Sequence, residues 1–153
     1  MVMLWTSKIR LVTVLCSIIF VAGTTLQNYV IIDVDLIESS MRLKGVDTGD
    51  APAYLGALRL VGNVFIVGNA LGLLVWFRWP WLFWPVLAVN VGQAFGVYVV
   101  PFEVHRAAIT EHGWPGVLPS LVTDGGAVIL SIVLIVAYVR ARRVTRPGDP
   151  VRL

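Results

Sequence analysis

The sequence predicts an all-α integral membrane protein, a four-helix bundle with both termini in the cytoplasm. Three observations lead there. Hydrophobic residues make up 58% of the 153-residue chain and charged residues 14%; soluble domains run nearer roughly 45–50% and about 25%. The apolar residues gather in four blocks, each close to the ~20 residues that span a bilayer core. The basic residues gather at the ends of those blocks. A net charge of +3 would suit a nucleic-acid partner, but no basic-aromatic surface motif accompanies it, so the partner it implies is the lipid bilayer.

The blocks define a transmembrane domain over 1–139, with helices expected at 9–26, 58–77, 81–102 and 118–139. Within lipid each must be helical, because unpaired backbone groups find no water there. Lys8 and Arg10 before the first block also suit a signal peptide. The stretch "FVAGTTLQN" lacks a clear A-x-A cleavage pattern, so an uncleaved helix is preferred. The single cysteine, Cys16, excludes an internal disulfide and cysteine-based zinc spacing; it reads as a small packing residue. Residues 140–153 form a basic cytoplasmic tail that can touch anionic lipid, and its end, "RPGDPVRL", reads as disordered.

Orientation follows from the charges. Lys8, Arg10, Arg78, Arg140, Arg142, Arg143, Arg146 and Arg152 fall on one side, eight of the twelve basic residues. Seven of the nine acids fall on the other. The basic side is therefore cytoplasmic, and segments 27–57 and 103–117 face outward. Trp76, Trp79, Trp81 and Trp84 flank the "FRWPW" turn as an inner aromatic belt; Trp5 and Trp114 mark other interface levels.

The second block contains "GNVFIVGNALG", with two amides and three glycines. At 100° per residue, Leu60, Val64, Val67, Leu71 and Leu74 form one apolar face. Arg59, Gly62, Asn63, Gly68, Asn69 and Gly72 occupy the opposite half. Gly68 and Gly72 form a GxxxG pair, which permits close helix approach. The third block repeats the pattern: Asn90, Gln93, Gly96 and Val97 share a face, and Gly92 with Gly96 gives a second GxxxG. Ser120, Asp124, Ala127, Ser131 and Tyr138 stripe the fourth block; Thr13, Ser17 and Thr24 stripe the first, with Phe20 between them. The bundle interior is thus semi-polar. Its amides fix register more than they stabilise, since such bonds contribute only about 0.6 kcal/mol each.

Asp124 is the sharpest residue. An ionisable side chain at the bilayer centre costs roughly 2.5–3.5 kcal/mol on insertion scales. It is read either as a proton or cation site or a salt-bridge partner, with Arg59 the natural partner, or as a shallow interfacial aspartate reached by water. In the first outer segment, "VIIDVDLIESSMRLKG" reads as a short amphipathic helix on the outer surface. Glu103, His105, Glu111 and His112 in the second could ligate zinc, but no HExxH-type spacing supports it. No catalytic residue, metal or cofactor is predicted. Asp33, His105 and Asp124 would meet only through tertiary folding.

At "LRLVGNVFIVGNALGLLV" the chain resembles the DoxX-like small four-helix membrane proteins of bacteria. Arg59, Gly62 and Gly68 carry the resemblance, which covers the second and third blocks; it implies a four-helix membrane fold and little chemistry. The leading expectation for function is an accessory or scaffolding subunit that binds a membrane protein partner or a second copy through helix contacts. The alternatives are a small oligomeric transporter or channel with a polar path near Asp124, and a membrane enzyme using the outer His and Glu residues.

Overall fold

The first long apolar block becomes a helix because a cap starts it and nothing in its interior breaks it. In the computed structural model, which describes residues 5–144, α1 runs Ser7–Leu26. The Thr6 hydroxyl accepts a hydrogen bond from the Ile9 N–H (3.4 Å), satisfying one of the orphan donors at a helix start. The helix continues through a π-helical turn at Gln27–Ile31. α2 (Val34–Lys44) begins at Asp33, whose carboxylate accepts from Leu36 N–H (2.9 Å). It stops at Gly45, where φ is 75°, a left-handed C-terminal residue that glycine adopts freely.

α3 (Ala51–Leu71) starts well before position 58, with Pro52 in its first turn, where no N–H is required. It tightens into a 3-10 turn at Gly72–Phe77 and reverses at Arg78. A 3-10 turn at Pro80–Leu82 leads into α4 (Phe83–Ala94), then α5 (Gly96–Val99) and α6 (Phe102–His112). After a 3-10 turn at Trp114–Gly116, α7 runs Leu118–Val144. The described residues contain helices and no strand. The first part of the 140–153 segment thus continues α7; residues 145–153, with the disordered end expected there, lie outside the described residues.

Three helices are long and apolar enough to cross a membrane: Ser7–Ile31, Ala51–Phe77 and Leu118–Arg143. The third apolar block does not make the single continuous helix expected over 81–102. α4 has 12 residues, about 18 Å at 1.5 Å per residue, well short of the ~30 Å hydrocarbon core. The ladder changes at Phe95, whose N–H reaches back only to Gly92 O (3.1 Å). α5 is a single turn. Pro101 ends it by forcing the preceding residue out of the helical region, and Val100 has ψ 119°.

The chain packs around two apolar cores. One lies between α4, α7, α1 and the 3-10 turns near residues 72–82, with Val75, Leu82, Phe83, Val86, Leu130 and Leu134 fully enclosed. Trp5 belongs to it. Expected at an interface level, Trp5 is only 3% exposed; its ring lies 5.9 Å from that of Phe83, and its Nε1–H donates to Trp79 O (2.9 Å). Trp76, Trp79, Trp81 and Trp84 nearby are exposed. Cys16 is half-buried and free.

The second core is at the opposite end. α2 forms as expected but does not lie alone on the surface: Leu36 and Ile37 pack on Val104, Ala107 and Ala108 of α6 and on Ala51 and Leu55 of α3. Gly116 permits the close return of the chain, since a Cβ there would meet the Ala108 carbonyl oxygen at 2.5 Å. The two inter-helical segments therefore form one helical cap. Ile37→Ala should lower the stability of this cap by about 2–5 kcal/mol. Limited trypsin digestion will show it as faster cleavage at Arg42 and Lys44, with little change for the exposed control Leu43→Ala.

Candidate functional site

The polar stripes of the helices converge just beneath the cap. Thr24 arrives from α1, Gln27 and Asn28 from the π-helical turn, Gln93 from α4 and Ser120, Thr123 and Asp124 from α7. The Asn69 amide donates to Gln93 Oε1 (2.6 Å), and Gln93 Nε2 donates to Thr24 Oγ1 (3.3 Å). That relay joins α3, α4 and α1. The Thr123 hydroxyl lies 3.3 Å from Asp124 Oδ1 and 3.2 Å from its own-helix acceptor Ser120 O. Gln93 is the second polar side chain at the carboxylate. No cationic side chain among the described residues forms an ion pair with Asp124.

Glycines shape this seat. A Cβ on Gly96 would lie 3.1 Å from Asp124 Oδ2, so the bare α5 backbone makes room for the carboxylate. A Cβ on Gly23 would lie 2.7 Å from the Thr123 methyl, so α1 and α7 meet there without a side chain between them. The seven polar side chains just named, with Gly62, Gly96 and apolar neighbours, line a partly open cavity of about 90 Å³. That is room for a few waters or a partly hydrated ion.

Deeper in the bundle the polar groups thin out. Asn90 is buried and donates to Val86 O of its own helix (2.8 Å), while Thr13 donates to Ile9 O (2.8 Å). Asn69 Oδ1, Asn90 Oδ1 and Ser131 Oγ have no hydrogen-bond partner. Below them the apolar core with Trp5 closes the far end.

Not every predicted site residue joins the interior. Asn63 is exposed, contrary to the interior position expected of it. It accepts from the Tyr29 hydroxyl (2.6 Å) and from Asn28 Nδ2 (3.3 Å), which also donates to Arg59 O. Asn63 is thus drawn to the π-helical turn, and Gly62 makes room for it: a Cβ there would strike the Asn28 side chain at 2.5 Å. Arg59 does not pair with Asp124. Its guanidinium sits over the Tyr29 ring, 5.6 Å from the centroid. The first GxxxG splits its contacts, Gly68 against Val89 (2.8 Å to an added Cβ) and Gly72 against Ser17. In the second, Gly92 is exposed and meets only Phe65 at ordinary contact distance, leaving Gly96 as the close-packed member.

A second cavity, of about 430 Å³ and mostly apolar, lies along an adjoining face of α7, between Ala94, α6 and Trp114. Asp124 and Ser120 line both cavities. His105 faces the second, half-buried, with Nε2 unpartnered. Asp33 stays at the α2 cap, so of the three residues that only folding could unite, two share a cavity. Glu103, His112 and Glu111 do not gather with His105; no group of three His, Cys, Asp or Glu residues among the described residues could hold a metal. The sequence reading missed Gln27, Asn28 and Thr123; Asn28 lies four residues after Thr24, on the stripe of α1, and Thr123 stands next to Asp124. No protein-family model, curated protein or solved structure matches the chain.

Burial holds the His105 imidazole below its ordinary value, favouring the neutral ring. Asp124 is the other ionisable group lining its cavity. Because the folded value is the lower one, His105 contributes stability that is complete above the unfolded value of about 6.5. That contribution is lost as pH falls from there toward the folded value. The parent protein's melting temperature should therefore drop more between pH 7.5 and 5 than that of His105→Gln; parallel curves would refute the assignment.

Proposed function

We propose that this chain is a four-crossing protein of the plasma membrane, with both termini cytoplasmic, and that it takes up a small monovalent cation or proton from the outer side at Asp124. The three apolar spans leave the interrupted segment 80–99 as the fourth crossing. A break at membrane depth is tolerated where it borders protein or a cavity rather than lipid, and Gly96 and Val99 line a cavity that also holds polar side chains. The helix ends near Lys8, Arg10, Arg78 and Arg140, with the exposed tryptophans beside them, support a cytoplasmic placement of that end. The cap, with Asp33, Asp35, Glu38 and Glu103, then faces outward. The resemblance to DoxX-like proteins implies the same count of crossings.

One observation carries the functional reading. A carboxylate inside an apolar helix is met only by neutral amide and hydroxyl groups, at the wall of a small cavity of mixed polar and apolar lining next to the outer end. Intramembrane carboxylates are costly and mark ion or proton sites. One negative charge with neutral oxygens from Thr24, Asn28 and Thr123 on the same lining suits a hard monovalent cation. The accessory-subunit reading has no comparable support, because the apolar faces it would use are those that lipid covers. An open channel is disfavoured by the closed inner core.

In proteoliposomes the parent protein should raise sodium or proton uptake above protein-free vesicles, and Asp124→Asn should reduce it at least about tenfold, the loss of one charge contact. If the parent raises neither, the cation reading is wrong and the accessory subunit, bound to a membrane partner or a second copy, replaces it. Reporter fusions at each end test the orientation; an external C-terminus would overturn it.

A further inference from the structure

The geometry points to the apolar cavity beside α7 as a site for a lipophilic organic monocation, an apolar body carrying one delocalised or quaternary positive charge, with Asp124 as its counter-ion. This rests on the reading of Asp124 as a cation site and names a larger substrate for it. The cavity volume of about 430 Å³ lies within the roughly 300–1,000 Å³ typical of small-molecule sites. The space is walled by Ile109, Leu121, Gly125 and Val128, which suit an apolar body. Two aromatic rings stand at its open edge, Phe102 (75% exposed) and Trp114 (70% exposed). Aromatic faces attract organic cations.

The charge balance selects the ligand. Asp124 and His105 are the ionisable residues on the lining, and no Lys or Arg is among them. An anionic amphiphile would find no partner and would face the carboxylate. A plain acyl chain would fill the apolar part and leave Asp124 uncompensated. A compact hydrated ion fits the smaller cavity that Asp124 also lines but gains nothing from the apolar walls. Burial of His105 supports the same choice, since a neutral ring adds no repelling charge. Because Asp124 and Ser120 line both cavities, an organic cation in the apolar cavity and a small ion or proton in the smaller one would compete for the same carboxylate.

Gly125 gives a clean test. It is exposed, lines the apolar cavity, and a Cβ there meets nothing within 4 Å. Leucine at this position projects into the cavity without displacing backbone, and Gly125→Ala serves as the folding control. Tetraphenylphosphonium binding to the full chain in nanodiscs is the readout, with neutral triphenylphosphine oxide as the uncharged comparison. The parent and Gly125→Ala should bind tetraphenylphosphonium saturably and much more tightly than the oxide. Asp124→Asn should bind it at least about tenfold more weakly. Gly125→Leu should lose it while keeping the sodium or proton uptake of the parent.

Equal binding of the oxide, or binding unchanged in Asp124→Asn, would identify an acyl-chain groove and overturn the proposal. Unchanged binding in Gly125→Leu would place the cation elsewhere and also overturn it. Intact inorganic-ion uptake with no tetraphenylphosphonium binding refutes the organic substrate alone. Absence of both refutes the cation site itself.

Discussion

The arrangement depends on where the Asp124 carboxylate can be put. It projects from a helix apolar enough to cross a membrane, so it needs space and polar neighbours at one place. The bare backbone at Gly96 supplies the space. Gln93 lies in the last turn of α4, just before the break at Phe95, and Gly96 opens α5 directly after it. The segment that makes room for the carboxylate thus also carries the amide that reaches Thr24 on α1 and accepts from Asn69 on α3. One short segment ties the bundle together. Each of these bonds contributes only a few tenths to about one kcal/mol in a membrane setting. Their main effect is to fix how the helices are rotated and shifted against one another.

The two cores are built from different materials because they answer to different solvents. In the cap, Leu36, Ile37, Val104 and Val117 are buried in the ordinary way, and removal of apolar area from water stabilises at about 25 cal/mol per Å². Between the long helices that driving force is weak where lipid is the alternative, so close packing at small residues takes over. Gly126 admits the Phe20 ring, which would lie 2.6 Å from an added Cβ; Gly68 admits Val89; Gly72 admits Ser17. Side chains at these positions would force the helices apart, and the polar groups would lose their partners.

Hydropathy made α1, α3 and α7 legible, because each is a long unbroken apolar run with a small or polar stripe. The stripes also predicted that Thr13, Ser17, Asn69, Asn90, Gln93 and Ser131 would be interior, and all are buried. The break at Phe95 was not legible. It is a change of hydrogen-bond register between two glycines, and a GxxxG pattern there suggests an intact packed helix instead. Asn63 and Arg59 were misplaced for a related reason: helical periodicity assigns a half-circle, but Tyr29 and Asn28, on a turn outside the expected first helix, decide which part of it is covered. Trp5 looked like an interface anchor because tryptophan composition does not reveal the neighbouring Phe83 ring. The cap is a tertiary pairing of two separate segments, so neither α2 nor α6 could announce it alone.

The polar groups stop partway along the bundle, and that limits what the interior can do. A conduction path needs donors and acceptors, or water, throughout its length. Here the sequence of polar side chains runs from Asn28 and Asp124 past Gln93 and Asn69 to Asn90, Ser131, Ser17 and Thr13. It then meets Val86, Leu130, Leu134 and Phe83, all essentially without solvent access. Phe83 is stacked on Tyr138 at 5.5 Å, while Trp5 closes from the other side and is held by its bond to Trp79 O. Residues from α1's approach, α4 and α7 thus form one ring cluster at the far end. With the far end closed, a solute that reaches Asp124 does so through one of the two cavities that it lines.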